Sequence, residues 1–363
     1  MNCAGLRHET YVLNLYENDP KMTLLYNIIQ PTSENLDLAV NELIHGNLVA
    51  FPTETVYGLG GNAYDDASIA KIFLYKHRPE FNPLSVCYGS LEQASEDVFV
   101  TKEALLISKH FLPGPITMLL KRRPNSRLSW LCSAGLETVG IRIPAHPVAQ
   151  ELLARLPFPL AAPSANQSGK ISPTSAANVT LDPLSLAKAT AALQAQSASP
   201  TTGSEAVNWS SIMLVIDGGQ CPIGIESTIV DLGSDKPKIL RLGAIAEEEV
   251  SEKCGLFFDK NRHETPSTRL KHYTTSKEIV LNCTSAEKSD ALLAFGTPFS
   301  NECLHVLNLS RNGDLGEAAG NLFAMIRELD KTDAKRICVM SIPYVGMGIP
   351  INDRLNKSAQ SYQ

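Results

Sequence analysis

Short apolar runs that alternate with amphipathic stretches set the tightest limit on what this chain can become. Runs at 47–51, 83–88, 116–121, 138–143, 158–162, 212–216, 227–232 and 238–241 have the length and composition of strands. Segments 35–45, 66–75, 101–111, 147–155 and 183–195 instead place apolar residues at helical spacing, as Ile69, Ile72, Phe73 and Leu74 do in the second. Strands this short, separated by helices and turns, predict an α/β fold on a twisted mixed sheet. The small, polar stretch 195–210 reads as a surface loop inside that unit.

A second unit follows. Segment 254–277 combines Gly255, Pro266 and Ser267 with Arg262, Arg269, Lys271 and His272, and reads as a linker, either a solvated spacer or a lid over a bound ligand. Beyond it, strand patterns at 278–283, 290–295, 303–309 and 336–341 surround an amphipathic helix at 315–330, and a last helix fits 351–361. That order predicts a small Rossmann-like α/β domain; it lacks Gly-x-Gly-x-x-Gly, so dinucleotide binding is unsupported. At 363 residues the chain has room for two cores. The division is a disordered extension at 1–25, a first domain at 26–253, the linker at 254–277 and the small domain at 278–363. Residues 1–21 hold neither an apolar period nor a motif, and are expected to be dispensable.

Charge and cysteine usage exclude several classes of function. A net charge of −6, from 38 acidic and 32 basic side chains, argues against nonspecific coating of nucleic acid. Eight cysteines are scattered without Cys-x-x-Cys or a histidine at metal spacing, which fits reduced thiols better than a disulfide framework or a zinc site. No apolar run approaches the roughly 18 residues of a membrane span, and the polar first twenty residues lack a signal-peptide core. A cytoplasmic location without a membrane partner is expected.

Candidate chemistry begins at Lys76-His-Arg-Pro-Glu-Phe-Asn82, which leads into the apolar run Pro83-Leu-Ser-Val-Cys87. A cationic loop entering a buried strand suits an anion, because Arg offers a planar fork of donors and Lys a mobile charge. The competing reading is a Lys/Arg pair that only offsets a helix C-terminus. No P-loop is present, so a triphosphate must be held by separated cations, hydroxyls and amides; Lys76, Arg78, Arg142 and Arg241 are the cations beside strand-like runs. Surface ion pairs explain single arginines equally well. Ser164-Ala-Asn166-Gln-Ser-Gly169 offers turn chemistry or close ligand approach, and Gly58, Gly60 and Gly61 read as a phosphate cradle or a tight strand exit.

Five further motifs accompany the cationic loop: Phe51-Pro-Thr-Glu-Thr-Val-Tyr-Gly-Leu-Gly-Gly61, Thr138-Val-Gly-Ile-Arg142-Ile-Pro, Ala162-Pro-Ser-Ala-Asn166-Gln-Ser-Gly169, Gly224-Ile-Glu-Ser-Thr-Ile-Val-Asp231 and Leu240-Arg241-Leu-Gly243. In this order the set resembles the YrdC-like family over roughly 26–358, and the chain past Pro266 is similar to the extra domain of its long members, the L-threonylcarbamoyladenylate synthases. The resemblance implies synthesis of L-threonylcarbamoyl-AMP from L-threonine, bicarbonate and ATP, for threonylcarbamoylation of adenosine 37 in tRNA. It implies that Thr55, Arg142, Ala162 and Ser227 hold L-threonine, with Arg142 on its carboxylate. It implies that Arg78, Asn82, Thr138, Ser164, Ser172, Arg241 and Tyr273 hold ATP, with Lys76 and Arg78 in the reacting phosphate field. Mg2+ would be held mainly through the ATP phosphates, with no metal site of the protein's own. Downstream transfer proteins, and contact with tRNA, are the implied partners. Where many relatives carry His, this chain has Cys87, which leaves amino-acid specificity open. Two rivals stand beside this reading: a noncatalytic RNA-binding module and a carbamoyl transfer enzyme using another donor.

Overall fold

The computed structural model describes residues 25–180, 212–234, 236–259, 271–299 and 302–362. Its first part runs β1 (Leu25–Ile29), α1 (Ser33–Ile44), β2 (Val49–Phe51), β3 (Gly58–Asn62), α2 (Asp66–Lys76), β4 (Ser85–Cys87), α3 (Leu91–Ala94) and α4 (Lys102–Phe111). It continues with β5 (Ile116–Lys121), β6 (Thr138–Arg142), α5 (Pro147–Ala154), β7 (Leu160–Ala161), β8 (Ile212–Ile216), β9 (Thr228–Asp231), β10 (Lys238–Arg241) and α6 (Glu247–Cys254). The second part is β11 (Glu278–Val280), β12 (Ala291–Ala294), β13 (His305–Asn308), α7 (Leu315–Asp330), β14 (Arg336–Val339) and α8 (Gly348–Ser361).

Ten strands join in the order β1-β8-β2-β3-β7-β4-β6-β5-β9-β10, mixing parallel and antiparallel pairs, and four parallel strands form a second sheet, β11-β14-β12-β13. The alternation of side chains along a strand gives the large sheet two different faces. Val86, Ile116, Met118, Leu120, Val139, Ile141, Val230 and Ile239 enter the main core with Ile72 and Ile107. The residues between them, Ser85, Thr117, Leu119, Thr138, Gly140, Arg142, Ile229 and Asp231, line the opposite face, where Ser85, Leu119, Thr138, Ile229 and Asp231 are only half-buried. At β1, β8, β2 and β7 this opposite face packs a further core with α1 and α5, through Val49, Phe51, Leu160, Leu214 and Ile216, so the polar, partly open bed for a ligand is confined to the part formed by β4, β6, β5 and β9.

Several expectations shift by a few residues, and some elements were not anticipated. β3 is a strand of the sheet rather than a glycine cradle. A Cβ on Gly60 would lie 2.9 Å from the Phe51 ring, and one on Gly61 2.8 Å from Leu48, so close strand packing accounts for these glycines. β1, α3 and α6 also went unread, and the last helix begins at Gly348 rather than 351. The expected helix at 183–195, the loop at 195–210 and the extension at 1–24 lie outside the described residues, as do 260–270 of the linker.

The second core is shared. Ala318, Ala319, Leu322, Phe323, Ile326 and Leu329 form the inward stripe of α7, a 3.6-residue pattern that packs with β12, β14 and α8. Val56, Ile171 and Ile225 from the first part, and Tyr273 after the linker, complete this same cluster. Gly224 adopts φ +75° where its backbone meets α7: a Cβ there would sit 2.5 Å from the Ala319 carbonyl oxygen, so any larger residue would push the two parts apart.

Candidate active site

The local fold brings the cations together. Asp65 caps α2 by accepting from the Ala67 and Ser68 amides, and left-handed His77 ends it, sending the chain back across the sheet edge. Lys76 is therefore 1% exposed in the last turn, yet it does not serve its own helix end as the simpler reading supposed. Its ammonium donates to the Ser164 carbonyl at 2.5 Å and to the Asn166 carbonyl, tying α2 to the loop after β7. Burial, followed by the neighbouring Arg78 charge, holds Lys76 well below its ordinary value.

Arg78 folds onto the start of the β4 run. Nε donates to the Asn82 carbonyl at 2.9 Å, and Nη2 to Asn82 Oδ1 at 2.8 Å and the Pro83 carbonyl at 2.7 Å. These acceptors are all neutral. Burial and the charge of Arg241 pull Arg78 down to about 10. Arg241, from the end of β10, grips Ser227 with Nε on its carbonyl at 3.0 Å and Nη2 on its hydroxyl at 2.9 Å; that hydroxyl lies 2.8 Å from Thr117 Oγ1.

Arg142 ends β6 beside Cys87, its register partner on β4. Its Nη2 donates to Glu54 Oε1 at 2.7 Å, Thr55 Oγ1 at 2.8 Å and Thr53 Oγ1 at 3.3 Å, while Glu54 Oε2 accepts the Ala145 amide at 3.0 Å. The carboxylate thus fixes the guanidinium in place. Arg142 Nε, buried, has no partner among the described residues, and a donor left in this state favours an incoming acceptor. Half-buried Ala162 is hydrogen-bonded through its amide to the Ser85 carbonyl, and Ser164 bridges Gly58. Cys87, buried beside Arg142, has its thiol pushed up to about 11 by burial and is packed as an apolar group.

Not every expected residue converges directly. Thr138 starts β6, four residues before Arg142 and opposite Lys121, so it sits on the same face but about 13 Å along the strand. A ligand touching both must be extended. Ser172 donates to Glu226 Oε1 at 2.7 Å. Tyr273 is 8% exposed and stacks on Phe323 of α7 with ring centroids 5.2 Å apart, beside Arg241, Arg354 and Glu226.

Sequence reasoning missed Glu54, Thr117, Glu226 and Arg354. Glu226 is the lone carboxylate of Gly224-Ile-Glu-Ser-Thr-Ile-Val230, a signal of buried charge that could have been read. Arg354 falls on the apolar stripe of α8 with Ile351, Leu355 and Ser358, another such signal, but nothing in the sequence names its partner.

Known proteins resemble this chain over most of its length. The family model Sua5/YciO/YrdC, described as Telomere recombination, matches residues 41–186, and the model described as Threonylcarbamoyl-AMP synthase, C-terminal domain, matches 235–360. A threonylcarbamoyl-AMP synthase of Pyrococcus abyssi is 31% identical over 93% of this chain and 98% of its own length. One of Bacillus subtilis is 33% identical over 87% of this chain and 90% of its own. The crystal structure of P. abyssi Sua5 complexed with L-threonine superposes with a TM-score of 0.74 at 29% identity, covering 91% of this chain and 95% of that one. From the motifs on the open sheet face to the parallel sheet packed behind them, the chain belongs to the threonylcarbamoyl-AMP synthase family.

Proposed function

We infer that the chain makes L-threonylcarbamoyl-AMP from L-threonine, bicarbonate and ATP, releasing pyrophosphate and water. The observation that carries the site assignment is the gathering of Arg78, Arg142 and Arg241 along the partly open part of the sheet with buried Lys76 beside Arg78, with neutral acceptors on Lys76 and Arg78 and, among the described residues, no partner for Arg142 Nε. Such a set needs anions.

The chemistry joins two of them. The threonine nitrogen forms a bond to the bicarbonate carbon as water leaves, giving a carbamate. A carbamate oxygen then bonds to the α-phosphorus of ATP as the bond to pyrophosphate breaks. In this reading Arg142 takes the threonine carboxylate, while Thr55, Ser227 and Ala162 define the amino-acid pocket. Arg78, Arg241 and Lys76 offset charge on the phosphates; Asn82, Ser164, Ser172 and Tyr273 border them, and Thr138 meets the far end of an extended nucleotide. Fixed donors aimed at oxygens that gain charge are the main source of rate such a site can supply, together with orientation of the two reactants.

Among the described residues no three His, Cys, Asp or Glu gather as metal ligands, and Glu54 and Glu226 are bound to Arg142 and Arg354. Mg2+ accordingly suits this site as an ion held through the ATP phosphates, where it would neutralise their oxygens. No helix of the described residues is long and apolar enough to cross a membrane. A cytoplasmic site of action, and delivery of the product to proteins that modify adenosine 37 of tRNA, complete the proposal. Neither rival gains an observation of its own, since relatives matched over nearly their full length carry the synthase name. Pyrophosphate release from ATP with bicarbonate, with and without L-threonine, tests the reading: strong dependence on threonine supports it, and release indifferent to threonine overturns it.

A further inference from the structure

Arg354 is a fully buried guanidinium from the small domain, lodged against the Gly224–Asp231 motif of the first domain. Its Nε donates to Glu226 Oε2 at 3.1 Å and its Nη1 to the Leu242 carbonyl at 2.6 Å and to Asp353 Oδ2 at 3.0 Å. Glu226 is the hinge of this contact. Its other oxygen takes the Ser172 hydroxyl, its chain neighbour Ser227 is gripped by Arg241, and Leu242 adjoins Arg241. A Cβ on Gly243 would lie 2.3 Å from the Thr228 nitrogen, so the 226–228 and 241–243 segments are in backbone contact. α7 fastens the same region from the other side, with Arg327 donating to the Ile171 carbonyl at 2.9 Å.

We propose that Arg354 is a positioning residue for adenylate formation: by holding the Glu226 carboxylate, the small domain keeps it from capturing Arg241 and leaves that guanidinium for the ATP phosphates. The proposal rests on the synthase reading of the site. Among the described residues, the charged and titratable groups facing Glu226 are Arg241 from β10, Arg354 from α8 and Tyr273 from the segment after the linker; Asp353, itself paired with Lys357, lies behind Arg354. With Arg354 gone, Arg241 is the one cation left in that set beside Glu226. Burial raises a carboxylate and cations lower it; Glu226 is held down at about 2, with Arg354 and then Arg241 opposing its burial. Removing Arg354 moves its titration upward, and an ionised Glu226 then competes with phosphate for Arg241.

The test compares wild type, Arg354→Met, Arg354→Lys, Glu226→Gln and the double variant Arg354→Met/Glu226→Gln in kcat/KM for ATP and for L-threonine. The expected result is a loss of about tenfold or more in the ATP parameter of Arg354→Met, exceeding its loss for threonine. Glu226→Gln in the same background should restore most of it, because a neutral amide still meets Ser172 and no longer competes for Arg241. Arg354→Lys, unable to span both Glu226 and Leu242, should fall between. If Arg354→Met does not fold, the Arg354→Lys pair with and without Glu226→Gln carries the same comparison. Equal losses for both substrates, or no rescue by Glu226→Gln, overturns the proposal. An inactive wild type would instead sink the synthase reading, which separates the two failures.

Discussion

Arg78 and Arg354 are both guanidiniums largely withdrawn from water, and they meet opposite environments. Arg78 is surrounded by neutral oxygens and by Arg241, so burial and repulsion both work against its charge. Arg354 is fully buried, more so than the partly exposed Arg78, but Glu226 and Asp353 face it and more than offset the loss, holding it above its ordinary value. The groove therefore keeps an unmet demand for an anion, while the domain junction carries its anion within the fold. One region is built to bind and the other to hold.

The largest effect that could break this contrast is catalytic. Arg78→Ala and Arg241→Ala should each lower adenylate formation at subsaturating ATP about 100-fold, since each loses more than one charge-assisted contact of about 1.5–3 kcal/mol. The unfolding midpoint of Arg78→Ala should stay near wild type, because that removal relieves its repulsion with Arg241. Near-normal turnover in both variants would take these residues out of the phosphate site.

Stability should respond at the junction instead. Arg354→Ala leaves Glu226 buried without its main partner, a change that costs about 3–5 kcal/mol where buried pairs are broken. Urea unfolding gives the answer: a loss under about 1 kcal/mol would make the junction no stronger than a surface ion pair.

A third difference is the response to acid. Glu226 is held down at about 2, below the ordinary 4.5, so its contribution to stability is fully present above about 4.5 and disappears as the pH falls toward 2. Wild type should lose stability between pH 5 and 3 more steeply than Glu226→Gln, which has no proton to take up there. Parallel profiles would contradict the assignment.

The legible and illegible parts of the molecule divide along the same line. Strands such as β5 and β6 were readable because one face alternates into a core, and Arg78, Arg142 and Arg241 because motifs flank them. β3 was missed because glycines packed against Phe51 and Leu48 carry no apolar period, although the close approach that excludes side chains is itself a strand property. The ligand groove depends mostly on residues near one another in short motifs. The junction depends on Glu226 and Arg354, 128 residues apart, whose pairing exists only after both sheets have formed.

The smallest expected effect lies beside the proposed amino-acid pocket. Cys87 is buried beside Arg142, and one methyl group is worth about 1–3 kcal/mol in a close apolar pocket. Cys87→His should reduce the preference for L-threonine over L-serine by up to about tenfold. An unchanged ratio of kcat/KM values would remove Cys87 from specificity.

The most direct measurement of the central claim is product formation by the purified chain from labelled bicarbonate, L-threonine and ATP. The account predicts a labelled adenylate that appears only when all three are present, in equal amount with pyrophosphate, and that is almost absent in Arg78→Ala. Label entering product without ATP, or pyrophosphate released at the same rate without threonine, would contradict it.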